Sequence, residues 1–157
     1  MIFLISISAL SPQEVIVRLN ILFSDEAAEE YRVICSAVTE ILDLSYQVFA
    51  CGNASAARKT EPLEEVIENL KENLRTRHIL RLQRGACSVD ARFIWSDLLS
   101  NLQRVSDHCS NISGCVIDTF GHNMNIHENQ QIFRSSGEEY KQDYAAFQGK
   151  YSLIGNA

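Results

Sequence analysis

Residues 97–112 read DLLSNLQRVSDHCSNI, and apolar side chains recur through this stretch at steps of three and four. That spacing is typical of an amphipathic helix, which turns by about 100° per residue. On such a helix, one face carries a stripe that we expect to pack on a helical core: Ile94, Leu98, Leu102, Val105, Cys109, Ile112 and Val116.

The polar side chains of the same helix form two further stripes. One stripe lies at the border of the predicted core face and contains Asp97, Asn101, Arg104, His108 and Asn111. The other, Gln103, Asp107 and Ser110, falls nearly opposite the core, so we expect solvent to reach Asp107. We interpret the border stripe together with Asp107 as a partner or regulatory surface. The simpler interpretation is a solvated helix face with a histidine hydrogen-bonded at the edge of a bundle.

Asp107 is also the residue to consider as a metal ligand. Two carboxylates four residues apart on a helix can share an ion, but the residue four before Asp107 is Gln103, whose neutral amide oxygen is a weaker donor to a hard cation. The sequence therefore predicts at most a half-built metal site at Asp107.

The rest of the chain predicts more helices. Periodic apolar positions and capping residues indicate helices at about 11–23, 25–50, 54–84 and 136–151, and the quoted helix is expected to run from a Ser88 cap to about 118, before a loop after Gly121. Pro62 either kinks its helix or marks the first turn. No segment alternates like a strand. We therefore predict an all-α, antiparallel up-down helical bundle, divided into an apolar N-terminal segment (1–10), the helical bundle (11–120), and a loop and C-terminal helix packing on the bundle (121–157).

Composition and motifs exclude several functions. A formal net charge of −6 gives no basic field for a phosphate backbone, so nucleic acid is not an expected partner. The five cysteines are scattered without a C-x-x-C pair, which favours reduced thiols. There is no phosphate-binding glycine loop, G-x-S-x-G, H-E-x-x-H or Glu-x-x-His, so we predict that the protein is not an enzyme.

Two local features are open to more than one interpretation. MIFLISISAL at residues 1–10 is either a buried segment or the end of a membrane region, since it is too short to cross a bilayer. Four arginines, Arg75, Arg77, Arg81 and Arg84, make a basic helix end that suits the helix dipole, or else contacts an anion or a partner. His78 beside them continues the apolar face and is expected to be a core histidine.

The quoted stretch and the segment RHILRLQRGAC at residues 77–87 together carry a family likeness. Over roughly residues 27–155 the chain resembles the PhoU-like cytoplasmic region at the C-terminal end of bacterial sodium/phosphate cotransporters. The resemblance implies a three-helix PhoU repeat with extra flanking helices and a surface metal motif, [E/D]-x-x-x-D, in which Asp107 matches the second acid and Gln103 replaces the first.

The same resemblance implies a function. We expect a cytoplasmic regulatory domain linked to sodium-dependent phosphate transport, which contacts a membrane transporter domain or a phosphate-signalling protein and lies at the inner face of the membrane if it is part of a transporter. The alternatives are a metal-binding helical module, with a divalent or ferric ion, and a stand-alone PhoU-type regulator. Homo-oligomer formation is left open.

Overall fold

The computed structural model describes residues 24–86, 89–123 and 136–153, without the side chains of residues 89–92, 118, 120–123 and 136. Four helices make up these ranges: α1 (Asp25–Cys51), α2 (Ala54–Gln83), α3 (Val89–Asn123) and α4 (Ser136–Lys150). No strand occurs among the described residues, and the all-α prediction is confirmed. The predicted helix at 11–23, the Ser88 cap and most of the predicted loop after Gly121 lie outside the described residues.

Local sequence determines where the first two helices begin and end. Ser24 caps α1 by accepting a hydrogen bond from the Ala27 backbone N–H at 3.3 Å. Gly52 ends α1 in the left-handed conformation, with φ 63°, which glycine adopts without a Cβ clash. Asn53 then caps α2, because its side-chain oxygen accepts from the backbone N–H groups of Ser55 and Ala56. The chain thus reverses direction between α1 and α2 in two residues.

The core lies where α1, α2 and α3 meet. Each helix supplies large side chains with at most 2% exposure, among them Ile34 and Ile41 of α1, Leu63, Ile67 and Leu74 of α2, and Trp95 and Leu99 of α3. Burying one such aliphatic side chain contributes roughly 1.5–3 kcal/mol. Pro62 lies inside α2 rather than in its first turn.

The fourth helix covers the outer side of α2. Phe147, Tyr151 and Leu153 at its C-terminal end are buried and join the main core. Four side-chain contacts hold α4 against its neighbours: Arg58–Glu139, Glu65–Tyr140, Asn69–Tyr144 and Glu40–Lys150. The last of these reaches α1, although α4 packs mainly on α2.

The buried face of α3 differs from the predicted one. Trp95, Leu99, Gln103, Ser106 and Ser113 are buried, whereas Ile112 is 44% exposed. At 100° per residue the mean direction of the buried side chains is rotated by about 70° from the predicted apolar stripe, toward α2. The prediction counted only apolar residues and therefore gave no inward position to Ser106 or Ser113, which are buried. The helix also continues to Asn123, so the prediction of an end near residue 118 and a loop from 121 was wrong there.

Length and composition make α1 the one described helix that could cross a membrane. Its buried face packs on α2 and α3 and includes the charged residue Glu30. The core helix of a bundle has the same length and composition as such a span, so this finding alone does not place α1 in a membrane.

Candidate functional site

The outer side of α3 carries the polar stripe that the sequence placed at the border of the core face. Asp97, Asn101, Arg104, His108 and Asn111 are all exposed, and they follow one another along about four turns of the helix. We call these five residues the polar face. The opposite side of α3 packs in the core, so the polar face lies on the outer surface of the bundle.

Asp107 does not belong to this face. It is half-buried, because it lies on the side of α3 that packs against α2. The Gln103 amide donates a hydrogen bond from Nε2 to Asp107 Oδ1 at 2.8 Å, and Gln103 itself is buried. The prediction that Gln103, Asp107 and Ser110 lie opposite the core was therefore wrong, and the cause is the rotation of α3 toward α2.

Glu64 of α2 lies across from Asp107. Its pKa is raised above the usual value of 4.5, first by burial and second by the negative charge of Asp107, while a hydrogen bond with Ser110 opposes the shift. Glu68 and Glu61 raise the Glu64 pKa further. The contact between α2 and α3 therefore holds carboxylates that repel each other.

These residues do not supply a complete set of metal ligands. Among the described residues, no group of three or more His, Cys, Asp or Glu side chains is placed to hold an ion. Gln103 does not supply the missing ligand, because its Nε2 faces Asp107 and its Oε1 is buried without a hydrogen-bond partner among the described residues. Where the resemblance implies an acidic residue, this chain has Gln103, and its amide nitrogen donates a hydrogen bond to one carboxylate oxygen of Asp107.

The basic end of α2 is partly used inside the fold. Arg81 donates from Nη2 to Glu30 Oε2 at 2.7 Å, and Arg77 contacts the other Glu30 oxygen at 3.4 Å. Both ends of the Glu30–Arg81 pair are buried, with side-chain exposures of 4% and 7%. Sequence reasoning missed this pair, although Glu30 shares the inner face of α1 with Ala27 and Ile34 and so could have been identified by its position.

His78 and Trp95 complete this end of the bundle. The His78 ring stacks on the Trp95 ring with centroids 5.7 Å apart, and the Arg81 guanidinium lies 5.8 Å from the Trp95 ring centre. His78 is 3% exposed, which confirms the prediction of a core histidine. The arginines left at the surface are Arg75 and Arg84, of which Arg75 is within 4.0 Å of Glu72.

A cleft of about 190 Å³ opens between α2 and α4. Asn69, Asn73, Tyr144 and Gln148 line it, and none of its lining residues carries a formal charge. A phosphate anion would find neutral amides and hydroxyls there and no cation, so the cleft is not a phosphate site of the kind that arginine or lysine builds.

An exposed apolar strip lies on α1, and the sequence reasoning missed it. Leu42, Tyr46 and Phe49 are 46%, 71% and 74% exposed, and their spacing of four and three places them along one side of the helix. This spacing was readable in the sequence, but it was hidden because the core residues of α1 follow the same period.

Geometry and comparison together define the class of protein. The described chain is a three-helix bundle with a fourth helix packed on it, and its third helix exposes a polar face. The model of the PhoU domain matches residues 32–116, more than half of the chain, and the chain belongs to the PhoU domain family. Searches of curated proteins and of solved structures gave no match. The family is regulatory rather than catalytic and has a phosphate-related role.

Proposed function

We propose that this chain is a PhoU-type regulatory domain that controls phosphate uptake by binding a transporter or a phosphate-signalling protein through the polar face of α3. The observation that carries the proposal is the exposure of all five polar-face residues on the side of α3 that faces away from the core. A face that mixes charges and amides, with no core role, is suited to reversible contact with a partner.

We further propose that the partner is part of a sodium-dependent phosphate transport system and that the domain acts without catalysing a reaction. The support for the first statement is the similarity of residues 77–87 and 97–112 to the cytoplasmic region of sodium/phosphate cotransporters. That similarity also favours the cytoplasmic side of the membrane, where PhoU domains are usually found. Self-association of the chain is compatible with this role.

Binding to the cotransporter membrane domain tests the proposal. Arg104→Ala and His108→Ala should each weaken binding several-fold while leaving the thermal midpoint nearly unchanged, because both side chains are exposed. Asp43→Ala on α1 is the matched control, since it removes an exposed charge outside α3. Equal binding by all three variants would contradict a role for the polar face.

A cation held by Asp107 and Glu64 is the second candidate function. The observation in its favour is the mutual repulsion of these two carboxylates, which a divalent or ferric ion would relieve. Elemental analysis of protein purified without added metal should then show one ion per chain in the wild type and none in Glu64→Gln. Glu72→Gln, which removes an exposed acid of α2 outside this group of carboxylates, is the control. Metal-free wild-type protein would leave the partner surface as the function.

A further inference from the structure

The groove between α1 and α3 is the open side of the bundle. On α1, Tyr31 contacts Trp95 of α3, whereas Glu40 contacts Lys150 and the end of α4. At 100° per residue, Leu42, Tyr46 and Phe49 lie within about 60° of the Tyr31 direction, and Glu40 lies on the opposite side of the core. The exposed apolar strip of α1 therefore borders α3, on the side that α4 does not cover.

α3 adds an apolar side chain to the same groove. Ser110 forms a side-chain hydrogen bond with Glu64 of α2, so it lies on the side of α3 that faces α2. Cys109 forms a side-chain hydrogen bond with Ser45 of α1. Around the axis of α3, Ile112 lies about 60° from Cys109, on the side away from α2. Ile112 is 44% exposed, so it faces the strip formed by Leu42, Tyr46 and Phe49. We call these four residues the apolar groove. A contiguous exposed patch of this kind usually marks a binding site.

We propose that the N-terminal segment of this same chain, residues 1–23, packs into the apolar groove. Eight of the first ten residues are apolar, and residues 11–23 carry Val15, Ile16, Leu19, Leu22 and Phe23 at helical spacing. This segment joins α1 directly at the Ser24 cap. Because the segment is rich in apolar side chains, packing them against an apolar surface is favourable.

Residues 1–10 can reach the groove from their attachment at Ser24. Leu42 and Phe49 lie about 27 and 38 Å from Ser24 along the axis of α1. Fourteen residues of extended chain cover up to about 46 Å, so the distance permits contact between the most apolar part of the segment and the groove.

Covalent attachment favours this occupant over a second copy of the chain. A tethered segment is present at an effective concentration in the millimolar range, which a second chain reaches only in concentrated solution. The proposal is independent of the proposed function, but it bears on it, because Asn101 and His108 of the polar face lie on the same side of α3 as Ile112.

Paramagnetic relaxation enhancement on the full chain tests the proposal. A spin label is attached at Ser6→Cys, after Cys51, Cys87 and Cys115 have been replaced by serine. The expected result is loss of amide signal intensity at Leu42, Tyr46 and Ile112. The amides of Asn69 and Asn73, on the side of α2 that faces α4, keep their intensity.

Three further samples decide between occupants: the double variant described next, a mixture of separately labelled chains, and the spin-labelled protein with anionic lipid vesicles. The double substitution Ile5→Asp and Ile7→Asp should restore the groove signals, because it removes the apolar surface of the segment while leaving the described core intact. Retained intensity at all groove amides in the first sample would overturn the proposal. A loss seen only between spin-labelled chains and separately isotope-labelled chains would also overturn it and assign the groove to a second copy. A loss that requires anionic lipid vesicles would assign it to a membrane surface instead.

Discussion

Glu30 shows how much a single buried residue decides in this bundle. Its carboxylate is 4% exposed and forms an ion pair with Arg81, which is also buried. The attraction between the two charges offsets the free-energy cost of removing both from water. The pair joins α1 to α2 at the end of the bundle where Trp95 of α3 packs. Removing one partner leaves the other charge buried without compensation.

We therefore predict that Glu30→Ala lowers the free energy of unfolding by about 3–5 kcal/mol, the range found when one partner of a buried pair is removed. Urea unfolding measures the effect. Glu29→Ala is the control, because the Glu29–Arg32 pair is exposed and should change stability by less than about 1 kcal/mol. Similar losses for the two variants would show that the buried pair has no special role.

Glu64 leads to a pH prediction. Because its pKa in the folded protein is raised above 4.5, the folded state binds its proton more readily than the unfolded state does. Glu64 therefore favours folding at low pH, and this contribution is lost as the pH rises from 4.5 through the folded-state pKa. We expect Glu64→Gln to raise the thermal midpoint at pH 7 and to flatten its dependence on pH above 4.5. Glu72→Gln, an exposed acid on α2, should do neither.

At the scale of elements, the sequence predicted the helices well and the orientation of α3 less well. Asn53 and Gly52 define the α1–α2 turn by local chemistry, so helix ends there could be predicted within a residue or two. Which side of α3 faces the core depends on its contacts with α2. Ser106 and Ser113 are small enough to be buried in that contact. A prediction from the spacing of apolar residues does not take small polar residues into account. The position of Asp107 was misjudged for the same reason, and so was the position of the polar face, which was expected at the border of the core face and lies on the exposed side of α3.

The buried serines of α3 lead to a prediction of their own. Ser106 is fully buried and its hydroxyl has no hydrogen-bond partner among the described residues. Ser106→Ala removes a desolvated polar group at nearly constant shape, so we expect the protein to be as stable as the wild type or up to about 1 kcal/mol more stable. Ser106→Val adds volume to the packed contact and should cost about 1–3 kcal/mol. Chemical denaturation of the two variants separates these effects, and a loss with alanine would mean that the hydroxyl has a partner.

The attachment of α4 depends on Tyr151. Its hydroxyl donates to Glu40 of α1, and burial followed by the contact with Glu40 raises the pKa of Tyr151 to about 12. We predict that Tyr151→Phe lowers stability by about 1.5–3 kcal/mol, the usual contribution of a hydrogen bond to a charged group. Tyr46→Phe, at an exposed tyrosine of α1, is the control and should have little effect.

At the scale of the whole molecule, the bundle divides into a mutually packed core of α1, α2 and α3 and a more peripheral α4. The three core helices each contact the other two, whereas the contacts of α4 are mainly with α2. Most of the polar contacts that hold α4 are exposed to solvent, where each contributes little. We therefore expect partial unfolding, in which α4 separates from the bundle while α1, α2 and α3 stay packed.

We predict that α4 detaches at a lower free energy than the global unfolding free energy. Native-state hydrogen exchange should show the amides of α4 exchanging through a partial opening, while amides near Ile34 and Ile41 of α1 exchange only on global unfolding. Tyr151→Phe should lower the opening free energy of α4 alone. Identical exchange free energies in α4 and α1 would instead show a single cooperative unit.

The indole of Trp95 has a practical consequence. It is the single tryptophan of the chain, is 1% exposed, and lies against a histidine ring and a guanidinium group. Its fluorescence therefore reports, without any added dye, on the one junction where the first three helices meet. A red shift in emission would signal that this junction has become wet, so binding and denaturation at that end of the bundle can be followed optically in the unmodified protein.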